Sequence, residues 1–342
     1  MKHELRWGVI GTGAIAGDLA LSLQKSARCR IVDVSGSSPE KARAFADRWK
    51  VPRASASLDE LLANRDVDAV YVATPHPAHE AQALACVAAG KAVLCEKPFT
   101  MDTAGAARVV AAARAGGVFV MEAFMYRCHP LVRELVRLLQ DGAVGRILHV
   151  RADFGFRKAR DPKSRLYDVA LGGGAILDVG CYPASFARLI AGIAAGKPYD
   201  EPLTLKATGL IGPTGVDELA SALLTFGSGV TATINTALHH AIGRSAMVCG
   251  EEGSIVIPDP WAPESHRHGT KTSFTINRDG RAPEVVAFDT ELDSYALEAE
   301  LVADALPALE APWPAMGLDD TLGNMRLLDA WRAALPGPAV TK

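Results

Sequence analysis

The chain has little of several things. Its 342 residues carry 36 Lys and Arg against 39 Asp and Glu, a net charge of only −3, with no long basic run. Nucleic acid and an anionic membrane surface are therefore not expected as partners. Six cysteines, Cys29, Cys86, Cys95, Cys128, Cys181 and Cys249, are scattered without a Cys-x-x-Cys pair. That spacing predicts neither a zinc site nor a disulfide framework, and no metal is expected. It suits small apolar core residues in a reducing, cytoplasmic compartment. No apolar stretch reads as long enough to cross a bilayer, and the N-terminal MKHELRWGVIG runs straight into a strand without the apolar core of a signal peptide. Internal repeats and low-complexity segments are missing as well. What remains, at 49% hydrophobic and 22% charged residues, is a globular composition with length enough for two domains.

The first 120 residues alternate short apolar runs with helical patterns. Strands are predicted over 5–10, 30–35, 69–73, 91–95 and 118–121, and helices over 14–24, 39–49, 58–63, 79–90 and 103–116. Short connections between alternating elements predict an α/β fold, a doubly wound parallel sheet covered by helices, in a first domain of residues 1–123. The pattern then changes. A helix is predicted over 131–141, an alternating strand over 147–156, a polar loop over 158–168, and a helix leading from the triple glycine at 172–174 to about 194. Strand-like runs at 203–210, 219–226, 230–238, 245–249, 254–257 and 272–276 are separated by turn signals such as Gly227-Ser228-Gly229 and Glu252-Gly253. They predict a large, open, mainly antiparallel sheet in an α+β second domain of residues 124–342. Terminal helices are expected over 295–306 and 320–334, free to pack back on the first domain.

Four segments carry the chemistry, with a fifth at the tip of the second strand. Gly11-Thr12-Gly13-Ala14-Ile15-Ala16 follows the first strand and opens the first helix, the G-x-G-x-x-A form of the dinucleotide fingerprint. Gly11 permits the tight turn and Gly13 lets a pyrophosphate approach the backbone; Ala16 allows close helix–strand packing, and the helix N-terminus attracts the phosphates. The second strand ends in Val34-Ser35-Gly36-Ser37-Ser38-Pro39-Glu40-Lys41. Its tip has no carboxylate for a ribose 2′-hydroxyl, whereas Ser37, Ser38 and Lys41 can receive a 2′-phosphate. NADP is therefore the expected cofactor, with NAD as the alternative; an ordinary Ser-rich turn with Pro39 opening a helix explains the same residues.

Thr74-Pro75-His76-Pro77-Ala78-His79 lies at the carboxyl edge, where open α/β sheets bind ligands. With no third ligand nearby, its histidines read as part of a turn that shapes a ribose pocket. Glu96-Lys97-Pro98 ends the buried run 91–95. Pro98 keeps Lys97 out of the helical region, which aims the ammonium and suits Glu96 and Lys97 to a cofactor pocket. In GGGAILDVGCYP, Asp178 and Tyr182 are four apart and share one face of a helix, with Pro183 placed to distort that turn. Tyr182 can donate a proton to an alkoxide if a lysine cation lowers its pKa from about 10. A core tyrosine bonded to Asp178 is the competing explanation.

Together GTGAIA, ATPHPAH, AGKAVLCEKP and GGGAILDVGCY resemble the glucose–fructose oxidoreductase / inositol dehydrogenase (GFO/IDH/MocA) family over nearly the whole chain. Within it, MEAFMYRCHP, VLCEKP and Tyr182 are similar to the branch of dimeric dihydrodiol dehydrogenases and NADP-dependent xylose dehydrogenases. The resemblance implies a Rossmann domain and a C-terminal sheet that lines the substrate site and often forms a dimer face. A homodimer or a dimer of dimers is thus expected. It also implies that Lys97 contacts the nicotinamide ribose and the reacting oxygen, that Tyr182 is the general acid/base, and that Asp178 orients substrate or polarises the pair. Arg165 matches an arginine near the nicotinamide, and Tyr295 a tyrosine that reaches the cofactor. The loop 154–165 is expected to vary with substrate. The chain departs from the pattern at Ser37, where close relatives place arginine, and at Gly36, where NAD-preferring members place an acid.

The expected function is an NADP-preferring dehydrogenase or reductase. Hydride passes between nicotinamide and the carbinol or carbonyl carbon of a sugar, cyclic polyol or trans-dihydrodiol. A non-catalytic nucleotide-sensing regulator on the same fold is the alternative; Lys97, Asp178 and Tyr182 together favour the enzyme.

Overall fold

Buried strands and capped helices alternate through the first part of the chain. The computed structural model describes residues 4–161, 163–263 and 272–336; residues 1–3, at the start of the segment read for a leader, and Pro162, inside the expected polar loop, lie outside the described residues. In order come β1 (Leu5–Ile10), α1 (Ala14–Leu23), β2 (Cys29–Ser35), α2 (Pro39–Trp49), β3 (Arg53–Ser55), α3 (Leu58–Ala63), β4 (Ala69–Val72), α4 (His79–Ala88), β5 (Ala92–Glu96), α5 (Thr103–Gly116), β6 (Val120–Ala123) and α6 (Met125–Cys128). The six strands form one sheet in the order β3-β2-β1-β4-β5-β6, with every neighbouring pair parallel. Every residue of β4, β5 and β6 is buried, as a sheet covered by helices on both faces requires. Strand order reverses between β1 and β4, which puts the loops after those strands at the switch point where such sheets bind nucleotides. Helix α4 ends two residues before Gly90, which sits at φ 69° while the Lys91 N–H bonds back to the Cys86 carbonyl at 3.0 Å.

The chain continues through α7 (Pro130–Gln140) and β7 (Ile147–Gly155) to a π-helical turn (Ile176–Gly180) that runs into α8 (Cys181–Ala194). Then follow β8 (Pro202–Ile211), β9 (Asp217–Phe226), β10 (Thr231–Ala237), β11 (Ala246–Gly250), β12 (Gly253–Ile257), β13 (Thr272–Arg278), β14 (Glu284–Phe288), α9 (Ser294–Ala305) and α10 (Leu318–Ala333). The second sheet has the order β14-β13-β12-β11-β7-β10-β9-β8. It is antiparallel except for β7 and β10. Those two run parallel because the chain between them passes through α8 and a hairpin. Two strands escape the sequence reading. β3 has only three residues, and β14 (EVVAF) mixes a glutamate with the exposed Val285, the pattern of an edge strand.

One expectation is corrected here. The helical stretch 169–194 is 26 residues long with a mean hydropathy of 1.3, so by length and composition it could cross a bilayer. Its apolar window is 94% buried inside the protein, which makes it a core helix. Asp178, Tyr182 and Arg188 break up the run in sequence and hide its length.

Among the described residues, two compact units emerge, one of residues 4–129 and 290–321, the other of the described residues of 130–289 together with 322–336. Helix α9 thus belongs to the first unit. Asp293, at its N-cap, accepts the Ser22 hydroxyl at 2.7 Å, and Asp304 pairs with Arg28 at 2.5 Å. All six cysteines are free thiols, five of them buried.

Candidate active site

In the first unit the fingerprint turn is shaped by what a side chain would strike. Gly11 stands at φ 106°, and a Cβ there would lie 2.5 Å from the Ala73 carbonyl oxygen beyond β4. Only glycine fits. A Cβ on Gly13 would instead meet nothing within 4 Å. Gly13 is also the N-cap of α1, and among the described residues no side-chain hydrogen bond caps that helix. The first-turn amides of Ala14 and Ile15 therefore border open space on a ten-residue helix, the arrangement that receives a phosphate. Ala16 is fully buried at the contact with the sheet. A dinucleotide fits this cradle. Beside it opens a cavity of about 640 Å³ whose lining includes Thr12, Gly13, Lys41, Arg48 and Trp49.

At the tip of β2 the one carboxylate of the strand is already committed. Asp33 is fully buried and accepts the Ser55 amide at 3.2 Å, the Ser55 hydroxyl at 2.9 Å and the Asn64 amide at 2.8 Å. Beyond it, the Lys41 ammonium donates to the Ser37 hydroxyl at 3.1 Å, while the Ser38 hydroxyl caps α2 by accepting the Lys41 amide. Gly36 is crowded: a Cβ would lie 3.1 Å from both the Ala42 nitrogen and the Thr12 methyl. An acid at that position needs its neighbours to move.

The turns after β4 and β5 are tied to one another. His79 is fully buried; its Nδ1 faces the Pro98 carbonyl at 2.9 Å and its Nε2 the Thr74 carbonyl at 2.8 Å. Both ring nitrogens thus serve the backbone, and His79 acts by holding the turn Thr74-Pro75 against the turn Lys97-Pro98. His76 packs edge-on against it at 5.7 Å. The Lys97–Pro98 peptide is cis. Two buried acids brace this turn from the sheet. Glu122 of β6 accepts the Phe99 amide at 2.9 Å, and Glu96 accepts the hydroxyl of Tyr71.

Glu298 of α9, only 2% exposed, lies close enough to Glu96 to sense its charge, and its Oε1 has no hydrogen-bond partner among the described residues. Burial, and then the Glu96 charge, push the Glu298 carboxyl well above its ordinary value, which favours the protonated form. Burial, and then the Glu96 charge, likewise push the Tyr71 phenol up. Tyr295, the second residue of α9, is 5% exposed. Sequence reasoning missed Tyr71, Glu122 and Glu298. The available signal was a polar residue inside the buried runs AVYVA and VMEA; for Glu298 there was none.

In the second unit Asp178 lies in the π-helical turn and Tyr182 in the first turn of α8, each 5% exposed. The turn is wider than the α-helix expected. Pro183 has no N–H to give to the preceding turn, and a π-bulge absorbs the loss. Asp178 Oδ1 accepts from the Arg165 guanidinium at 2.8 Å. The structure therefore joins two residues that the sequence offered separately. The Tyr182 ring packs edge-on against Phe154 at 5.2 Å and Trp261 at 6.1 Å, and those two rings stack on each other at 5.8 Å. The Trp261 indole N–H, bonded to the Asp153 carbonyl at 2.8 Å, fixes the cluster. Phe154 and Trp261 converge from segments more than a hundred residues apart, which no spacing in the sequence reveals.

Residues 5–124 match an oxidoreductase family with an NAD-binding Rossmann fold, and residues 132–256 match the GFO/IDH/MocA C-terminal domain. A trans-1,2-dihydrobenzene-1,2-diol dehydrogenase of Xenopus laevis is 36% identical over 275 residues, 79% of this chain and 81% of that protein. The chain belongs to the GFO/IDH/MocA oxidoreductase family. The Mus musculus enzyme of the same name is 36% identical over 261 residues, 76% of each chain. Among solved GFO/IDH/MocA structures, a 3-ketoreductase from Actinomadura kijaniata in complex with NADP and TDP-benzene matches with a TM-score of 0.84 at 28% identity, covering 98% of this chain and 99% of that one. The aldose–aldose oxidoreductase from Caulobacter crescentus, complexed with glycerol, matches with a TM-score of 0.85 at 25% identity over 97% of each. This GFO/IDH/MocA protein is an NAD(P)-dependent dehydrogenase with a small-molecule substrate.

Proposed function

We propose that this protein is an NADP-preferring dehydrogenase or reductase acting on a hydroxyl-bearing ring carbon, as in a sugar, a cyclic polyol or a trans-dihydrodiol. The observation that carries the cofactor reading is the tip of β2. Its carboxylate is buried on Ser55 and Asn64, while Ser37, Ser38 and Lys41 present two hydroxyls and an ammonium. A dihydrodiol dehydrogenase, a ketoreductase crystallised with NADP and an aldose oxidoreductase among the relatives support the substrate class.

When bound, the nicotinamide supplies or accepts the hydride. The chain supplies the rest. Gly11, Gly13, Ala14, Ile15 and Ala16 hold the pyrophosphate, and Thr74, Pro75, His76, His79 and Glu96 shape and brace the ribose pocket. Lys97 stabilises developing alkoxide charge. Tyr182 moves the proton at its phenolic oxygen, in a ring pocket that keeps water out. Asp178, set by Arg165, orients the substrate hydroxyl, and Tyr295 reaches the cofactor.

The open face of the second sheet supports a homodimer or a dimer of dimers. Strand pairing aligns Lys206, Leu223, Thr233, Arg151, Met247, Val256, Thr275 and Val285 in one row across all eight strands. In that row Leu223 is 48% and Val285 64% exposed. A broad face of this kind suits a second copy of the chain.

The test is a screen of aldoses, inositols and dihydrodiols with both cofactors, read at the NAD(P)H absorbance, in wild type and Lys41→Ala. A roughly tenfold or greater preference for NADP is expected, as one charge-assisted contact provides, and it should shrink in the mutant. A wild-type preference for NAD would overturn the cofactor assignment.

A further inference from the structure

The helix that carries Asp178 and Tyr182 begins against a carboxylate from another part of the second unit. Asp217, the first residue of β9, is 8% exposed, and its Oδ2 accepts the Ile176 N–H at 2.7 Å. Gly174 stands at φ 113°, and a Cβ there would lie 2.1 Å from Asp217 Oδ1. The Ala175 carbonyl accepts the Thr236 hydroxyl at 3.1 Å, so the turn is gripped from β9 and from β10. A helix start normally has its free N–H groups satisfied by its own N-cap side chain. Here Ala175 at the N-cap offers none, and β9 provides the cap in its place.

We infer that Asp217 is a positioning residue for the reaction: by holding the Ile176 N–H it sets the placement of Asp178, two residues on, and of Tyr182 on the same helix. The inference rests on the roles proposed for those two residues.

Holding a charge here has a cost. Burial pushes the Asp217 carboxyl up to about 6, against the lowering effect of its backbone partners and of Arg332. Arg332 and Asp329 of α10 line a cavity of about 360 Å³ together with Asp217. The neighbouring Glu218 is turned to Arg160 at 2.6 Å, and Asp178 is held by Arg165. The folded value lies above that of the unfolded chain. The stability that protonated Asp217 contributes is therefore complete below the unfolded value of about 3.9 and is lost as the pH rises through about 6. At neutral pH the protein keeps a buried carboxylate at the expense of stability, and gains a stronger acceptor for the helix start. That exchange is the mark of a group retained for activity.

The experiment measures kcat and KM from pH 5 to 9 with trans-1,2-dihydrobenzene-1,2-diol and NADP, alongside melting curves and hydrogen exchange over residues 172–182. At pH 8, Asp217→Asn should lower kcat roughly tenfold, short of the hundredfold that a 1 Å misplacement causes. Affinity for NADP should hold, the Ile176 amide should exchange faster, and the melting temperature should equal or exceed that of wild type. Wild-type kcat should fall as the pH drops through about 6, and Asp217→Asn should lack that limb. Arg332→Met removes the facing cation and should move the limb to higher pH. Wild-type kcat and an unchanged acid limb in Asp217→Asn would overturn the role. If that variant does not fold, an Arg332→Met limb that stays in place overturns it equally. Tyr182→Phe in the same assay separates the two readings. Full turnover there sinks the catalytic assignment, while the Ile176 exchange rate in Asp217→Asn still reports the cap.

Discussion

Glu298 gives the sharpest test of the buried carboxyl pair it forms with Glu96. Burial and the charge of Glu96 both oppose its ionisation. Glu298→Gln replaces it with a group of the same size that cannot titrate. The sign of the pH dependence is fixed: the folded-state pKa lies above the unfolded value, so the stability Glu298 contributes is complete at low pH and drains away as pH rises. Each pH unit in which the folded protein keeps the proton and the unfolded chain has lost it costs about 1.4 kcal/mol relative to the glutamine variant. Above the ordinary glutamate value of about 4.3 the gap between the two proteins should therefore widen as the pH rises. In a large domain 1 kcal/mol moves the melting temperature by about 2–4 °C, so each such pH unit is readable in the melting difference, always in favour of glutamine as the pH rises. The assay is a pair of melting curves at half-unit pH steps. Any constant offset from the new amide cancels, because only the change with pH is read. A melting gap that stays flat across the range would falsify the raised carboxyl.

The remaining outcomes are as follows. Lys97→Met should lower turnover at least about a hundredfold with a melting curve like wild type, since it removes charge stabilisation and leaves the His79, Glu96 and Glu122 braces in place; near-normal turnover would sink its role. Tyr182→Phe keeps the ring packing on Phe154 and Trp261 and should lower kcat far more than it weakens cofactor binding; lost nucleotide affinity with intact turnover would make Tyr182 a structural residue. Leu223→Arg sets a charge on the open sheet row, one strand in from the β8 edge, and should shift light scattering from dimer to monomer at micromolar concentration; an unchanged dimer would move the interface elsewhere.

The sequence by itself determined the first unit almost completely. Gly11, Gly13 and Ala16 declare their purpose locally, because a backbone that turns tightly against a neighbouring strand tolerates few residues, and strand–helix alternation fixes a parallel sheet with its switch point. The family, too, was legible from four short segments. Tertiary structure decided what depends on convergence. The parallel pairing of β7 with β10 and the seat of Tyr182 on Trp261 join residues far apart in the chain, and even the Asp178–Arg165 pair needs the loop between them to fold back. Periodicity reports only which face of an element is apolar, never which distant element meets it. The same limit hid Asp217 and Glu298. A carboxylate in sequence carries no sign of whether it will be solvated or buried. Only the packing of β9 against the glycine turn, and of α9 beside Glu96, turned these two into a helix cap and a carboxyl that resists ionisation, because desolvation is a property of the assembled fold.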